Sequence, residues 1–144
     1  MKVLVSACLL GINCKYNGGN NLSPELVRFL EDHEIIPVCP EILGRRPIPR
    51  PPVEIVNGVV REKDGTDRDR EFRDGAAEGL RIAREHGIDL AILQSRSPSC
   101  GVNEVYDGTF SGTKKTGHGV FADLLIKEGF KVIDIEDFDP KLIE

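Results

Sequence analysis

Short, unbroken apolar runs alternate along this chain with stretches whose apolar residues recur at helical spacing. Lys2 to Ala7 holds Val3, Leu4, Val5 and Ala7 with almost no polar interruption, the pattern of a strand buried on both faces. Leu9 to Leu22 follows with Gly11, Asn13, Asn17, Gly18, Gly19, Asn20 and Asn21, a concentration of turn formers that predicts a loop. Ser23-Pro24-Glu25 starts a helix, with a serine N-cap, a proline at the first helical position and an acid in the first turn. Leu26, Val27, Phe29 and Leu30 carry it to near His33. Glu34 to Val38 reads as a second strand, and Pro40 ends it.

From Pro40 to Pro52, five prolines interleave with Gly44, Arg45, Arg46 and Arg50, which predicts a stiff extended loop. Glu54-Ile55-Val56 and Val59-Val60-Arg61 flank Asn57-Gly58, the strongest short hairpin signal in the chain. Thr66 or Asp67 caps a helix running to about His86, with Phe72, Ala76, Leu80 and Ala83 on one face and Gly87 as its stop. Leu90 to Leu93 is the next buried strand, leading into the polar turn Gln94 to Gly101. Tyr106 to Phe110 reads as a second hairpin turn, Thr113 to Gly119 as a flexible loop, and Val120 onward as a helix closed by Gly129. Lys131 to Ile135 is the last strand. This order predicts an α/β fold. One domain spans residues 1–144, with a mainly parallel open sheet of about four core strands flanked by helices and one or two β-hairpin excursions.

Composition narrows the setting. The 144 residues, 40% hydrophobic and 30% charged, suffice for one core, and no segment approaches membrane-spanning length. The apolar N-terminal run is too short for a secretory signal, so the expected location is cytoplasmic. In that reducing compartment the four cysteines are free thiols, metal ligands or catalytic groups before they are a disulfide framework. A net charge of −5 disfavours intact nucleic acid as a partner.

Cys8, Cys39 and Cys100 each follow an apolar run that reads as a strand, and Cys100 lies seven residues past Leu93. Intervals of 31 and 61 residues match no short zinc or iron–sulfur signature; they match one cysteine per crossover of a parallel sheet. Buried free cysteines also act as small hydrophobes, but these three sit at the ends of apolar runs rather than inside them. Zinc, iron–sulfur and a non-enzymatic zinc-binding or thiol redox-sensing module all remain open on placement alone. Cys14, six residues after Cys8 with no strand before it, is a fourth ligand, a disulfide partner for Cys8 or a bystander. Three ligands with Cys14 nearby is the favoured arrangement, since an open fourth position suits a catalytic centre.

Five blocks carry a resemblance: Ser6-Ala7-Cys8-Leu9-Leu10-Gly11, Cys14-Lys15-Tyr16-Asn17-Gly18, Pro37-Val38-Cys39-Pro40-Glu41, Ser97-Pro98-Ser99-Cys100-Gly101 and Tyr106-Asp107-Gly108-Thr109-Phe110-Ser111-Gly112. Together they resemble the thiouracil desulfidase (TudS) family across nearly the whole chain. The resemblance implies an oxygen-sensitive 4Fe-4S cluster held by Cys8, Cys39 and Cys100 with one iron free. It also implies a small-molecule thiolated base or nucleotide as substrate, desulfurated to the oxo base with release of sulfide. Lys15-Tyr16-Asn17 and Gly44-Arg45-Arg46 depart mildly from the family pattern, at the expected substrate rim.

Beside those cysteines, Glu41 is placed to activate water or shuttle a proton, a role the resemblance also implies; its simpler role is an N-cap or a loop salt bridge. Ser97 and Ser99 are candidates to hydrogen-bond the substrate edge or the cluster sulfurs, the resemblance favouring Ser97 as the functional one; serines in turns are also plain turn formers. Arg45, Arg46 and above all Arg50 are candidates to grip a nucleotide phosphate, or are solubilising. Gly112 to Gly119 is no P-loop, because no lysine-serine or lysine-threonine pair follows the second glycine, and reads as a flexible loop closing over the site. His118 is a weak candidate ligand or acid, while His33 and His86 fall at helix ends.

Overall fold

Val3, Leu4 and Val5 are fully buried because β1 (Lys2–Ser6) runs through the middle of a sheet with helices on both faces. In the computed structural model, which describes residues 1–143, β1 is flanked by β2 (Glu34–Val38) and β5 (Leu90–Leu93), and β5 by β8 (Val132–Asp134). The order is β2-β1-β5-β8 and every pairing is parallel, with Ser6 opposite Val38, Val5 opposite Ile92 and Leu93 opposite Asp134.

Side chains alternate between faces, so one strand feeds two cores. Val3, Val5, Leu90 and Ile92 pack with Leu26 and Leu30 of α1 (Pro24–Leu30). Leu4, Ala91 and Leu93 face Phe72, Ala76, Leu80 and Ala83 of α3 (Asp69–His86), and Phe121 and Leu125 of α4 (Val120–Lys127). The apolar face of α3 at helical spacing is thus the element that covers this side of the sheet. Gly87, at φ 60°, ends it by donating to Ala83 and Arg84.

Several elements differ from the sequence expectation. The stretch expected to be wholly extended begins with a short helix, α2 (Pro40–Leu43). Pro40 occupies its first position, where the missing N–H costs nothing, and Leu43 N donates to Cys39 O at 3.0 Å. Helix α3 starts at Asp69 rather than Thr66 or Asp67, although the Asp67 carboxylate accepts from Asp69 N at 2.8 Å. Helix α1 stops at Leu30, short of His33, whose ring contacts the amino terminus.

The hairpin around Asn57-Gly58 forms as β3 (Val53–Val56) and β4 (Val59–Glu62), with both turn residues at positive φ. The second hairpin pairs β6 (Glu104–Tyr106) with β7 (Lys114–Thr116), so part of the expected flexible loop is a strand. After β8 the chain adds α5 (Pro140–Ile143), and Phe138 meets Phe29 edge-on at 5.3 Å. Among the described residues no helix is long and apolar enough to cross a membrane.

The connection from β1 leads to one side of the sheet and β5 lies on the other. Chains leaving the C-terminal ends of these two strands therefore diverge, and an open parallel sheet has its crevice at such a point.

Candidate functional site

All four cysteines converge on that crevice, and all are free. Cys8 follows β1 in a single 3-10 turn, Ala7–Leu10, which Gly11 closes at φ 88°. The loop beyond returns to it, with Asn21 N donating to Cys8 O at 2.9 Å and Asn21 Nδ2 lying 3.9 Å from the Cys8 Sγ. Cys39 is the extended residue that caps α2. The position of α2 is set by its crossing with α3: a Cβ on Gly75 would lie 1.9 Å from Pro40 O, and one on Gly44 2.1 Å from Glu71 O. Only glycines allow this approach, and it fixes Cys39 and Glu41 against the helix that covers the sheet.

Cys100 sits in a turn held from three directions. The Ser97 Oγ accepts from both Ser99 N and Cys100 N at 3.1 Å, and Gly101 N donates to Ser97 O at 2.9 Å. The first N–H groups of α4, which have no partner within the helix, donate to Pro98 O and Ser99 O. Ser6 joins this turn to β1 and β5, since its hydroxyl accepts from Gln94 N at 2.9 Å and hydrogen-bonds the Cys100 thiol.

The thiols sense one another. Hydrogen bonding to Cys14, then burial, pushes the Cys39 thiol far up; burial does the same to Cys100, against the opposing hydrogen bond with Ser6. For Cys14 the hydrogen bond with Cys39 acts downward, but its bond with Cys8 and its burial outweigh it, and the net direction is up. Cys14, free like the other three, hydrogen-bonds both Cys8 and Cys39 and so lies between them. Among the described residues no three His, Cys, Asp or Glu side chains are grouped to hold a single metal ion.

The remaining candidates fall into a relay that the sequence did not disclose. Arg50 is buried and donates from Nε to Glu41 Oε1 at 2.9 Å, from Nη1 to Pro47 O at 3.1 Å and from Nη2 to Cys14 O at 2.8 Å. Ser99, equally buried, donates to Glu41 Oε2 at 3.3 Å. Both residues grip Glu41: Arg50 has its guanidinium engaged with protein at each nitrogen instead of offering a phosphate fork, and Ser99 faces the carboxylate. Arg46 lies 3.6 Å from Glu62 and Arg45 is an exposed residue at φ 68°, so neither joins the site. The His118 Nδ1 contacts Val102 O at 2.5 Å, which ties down the approach to α4.

The cavity measures about 550 Å³, within the range of small-molecule sites. Cys8, Cys14, Cys39, Cys100, Glu41 and Ser97 line it, and so do Tyr16, Tyr106 and Phe110. Both tyrosines of the chain are here. Sequence reasoning gave no role to Ser6, which stood only as the first residue of the Cys8 block, or to Asn21, read only as a turn former.

A thiol-lined pocket at the switch point of an open parallel sheet, with a clamped carboxylate in its wall, defines an α/β enzyme built around cysteine chemistry. The chain belongs to the 2-thiouracil desulfurase family, whose model matches residues 3–137. It is 39% identical over 141 residues to the uncharacterized protein YbbK of Bacillus subtilis (strain 168), covering 91% of this chain and 93% of that protein. Its fold superposes with a TM-score of 0.91 on a solved [4Fe-4S]-dependent thiouracil desulfidase, TudS, at 36% identity over 98% of this chain and 94% of the other.

Proposed function

We propose that this protein removes sulfur from a thiouracil-type base as free base or mononucleotide, replacing the thiocarbonyl sulfur with oxygen from water and releasing sulfide. Cys8, Cys39 and Cys100 would hold a [4Fe-4S] cluster for this work. The donor type fits: Cys8, Cys39 and Cys100 follow three strands of the sheet, line one cavity and offer the thiol ligands that such clusters take. Cys39 and Cys100, whose thiols are pushed well up, would become thiolates as iron displaced their protons. Cys14 stands outside the trio, its carbonyl tied to Arg50 and its thiol hydrogen-bonded to two of the three. When bound, such a cluster supplies a Lewis-acidic iron with affinity for soft sulfur.

The chain's own residues handle position and protons. Glu41 accepts a proton from the attacking water and returns it toward the departing sulfur, so that water and thiocarbonyl become carbonyl and hydrogen sulfide. Arg50 and Ser99 hold one carboxylate oxygen each, which keeps Glu41 from swinging out of the pocket wall. Ser97 sets the Cys100 turn, and its O–H remains available to the substrate edge. The net charge of −5 suits a small substrate better than a polyanion.

The observation that carries this reading is the convergence of Cys8, Cys39, Cys100 and Glu41 on one cavity. Anaerobically reconstituted protein is expected to be brown and to release sulfide from 2-thiouracil. Glu41→Gln should keep its iron and lose about 10²- to 10⁴-fold in kcat, the usual worth of a general base. A colourless protein with full activity, or a fully active Glu41→Gln variant, refutes it.

A further inference from the structure

The turn between β6 and β7 is held in a costly conformation at the mouth of the cavity. Phe110 sits at φ 56°, in the left-handed region that bulky residues rarely adopt. Nothing local requires it, because Gly108 and Gly112 on either side already supply positive φ for turning the chain. A strained residue persists where its surroundings over-determine it. Here Glu54 on β3 does so: its Oε1 accepts from Gly108 N at 2.9 Å and from Phe110 N at 3.1 Å.

Within the turn, the Asp107 carboxylate accepts from Thr109 N at 2.9 Å and Thr109 Oγ1 at 2.6 Å. The hydroxyls of Thr109, Ser111 and Thr113 then continue in a chain. Gly108 packs so tightly on β3 that a Cβ would meet Ile55 O at 2.6 Å. The whole assembly delivers one ring to the cavity lining, where Phe110 joins Tyr16 and Tyr106.

Resting on the desulfidase reading above, we infer that Phe110 is the stacking wall that selects a planar heteroaromatic substrate, and that Glu54 is the residue that positions it. A half-buried ring with its backbone pinned is pre-organised and loses little freedom when a flat base lies against it. Glu54 lines the cavity but acts through the backbone of the turn. Thiourea, which has the thiocarbonyl and its nitrogens but no ring, gains nothing from such a wall.

The test compares 2-thiouracil and thiourea on reconstituted wild-type protein and on Phe110→Gly, Phe110→Tyr, Glu54→Ala and Glu54→Gln, alongside equilibrium dialysis of uracil and thermal unfolding. Phe110→Gly removes the ring and the strain together, so it is expected to unfold no lower than wild type. Its uracil affinity should nonetheless fall, and its KM for 2-thiouracil rise, by about 5- to 150-fold, the range of base–aromatic stacking. Its kcat should stay within about twofold, and sulfide release from thiourea should not change. Phe110→Tyr and Glu54→Gln, which keep the ring and the acceptor, should retain wild-type KM, while Glu54→Ala follows Phe110→Gly. An active wild type with unchanged uracil affinity and KM in Phe110→Gly overturns the inference. So does an equal loss on thiourea. A wild type that releases no sulfide from 2-thiouracil yet loses uracil affinity in Phe110→Gly refutes the desulfidase reading and keeps the stacking wall.

Discussion

Replacing Arg50 with alanine probes the clamp behind the pocket wall. The substitution deletes three donated bonds, to Glu41 Oε1, Pro47 O and Cys14 O, and leaves Glu41 with the longer bond from Ser99. The Arg50 side chain is 3% exposed and that of Glu41 14%, so water replaces little of what is lost. Removing one partner of a buried ion pair costs about 3–5 kcal/mol, mostly the uncompensated charge left behind. Partial wetting of Glu41 from the cavity puts the pair near 3 kcal/mol, and a buried carbonyl stripped of its donor adds about 1 kcal/mol. A loss of about 4 kcal/mol is a large share of a typical domain stability of 5–15 kcal/mol. Urea unfolding under constant reducing conditions, followed by circular dichroism, measures it as a shift in midpoint at constant m. Adding Glu41→Gln to Arg50→Ala should recover at least about 1 kcal/mol, because the stranded charge is gone. A single-variant loss below about 1 kcal/mol, or a double variant no more stable than Arg50→Ala, refutes the clamp.

Two further substitutions test how the cysteine-bearing turns are held. Gly75→Ala drives a methyl into Pro40 O and forces α2 away from α3, at a cost of about 1–3 kcal/mol or more. Its melting temperature should fall and its iron content with it, while an unchanged melting temperature would show that α2 is not seated there. Ser97→Ala strips the shared acceptor from Ser99 N and Cys100 N and should cost about 1–3 kcal/mol in urea unfolding. Ser97→Thr, which keeps the hydroxyl, should remain near wild type, and equal losses in both variants would count against this role.

The parts of the fold written in local pattern could be read from the sequence. Val3-Leu4-Val5 announced a strand covered on both faces, Asn57-Gly58 a hairpin, and Gly87 the end of α3. Proline density misled at Pro40, because a proline at the first position of a helix reads like one in an extended loop. Strand β7 was not legible because Lys114, Lys115 and Thr116 are all exposed and carry no alternation. Cys8, Cys39 and Cys100 could be placed at the strand ends because each follows an apolar run. The grip on Glu41 could not be foreseen: Ser99 is 58 residues away, and Arg50 is aimed at it by burial that depends on the Cys14 loop. Glu54 and the turn it pins are likewise 54 and 56 residues apart.

The division of the four cysteines into a trio and a bystander is tested most directly by iron and acid-labile sulfide per chain after anaerobic reconstitution of four single variants. Cys14→Ala is expected to retain about four irons per chain, as wild type does, while Cys8→Ala, Cys39→Ala and Cys100→Ala retain almost none. Full loading in any of those three, or complete loss in Cys14→Ala, contradicts it.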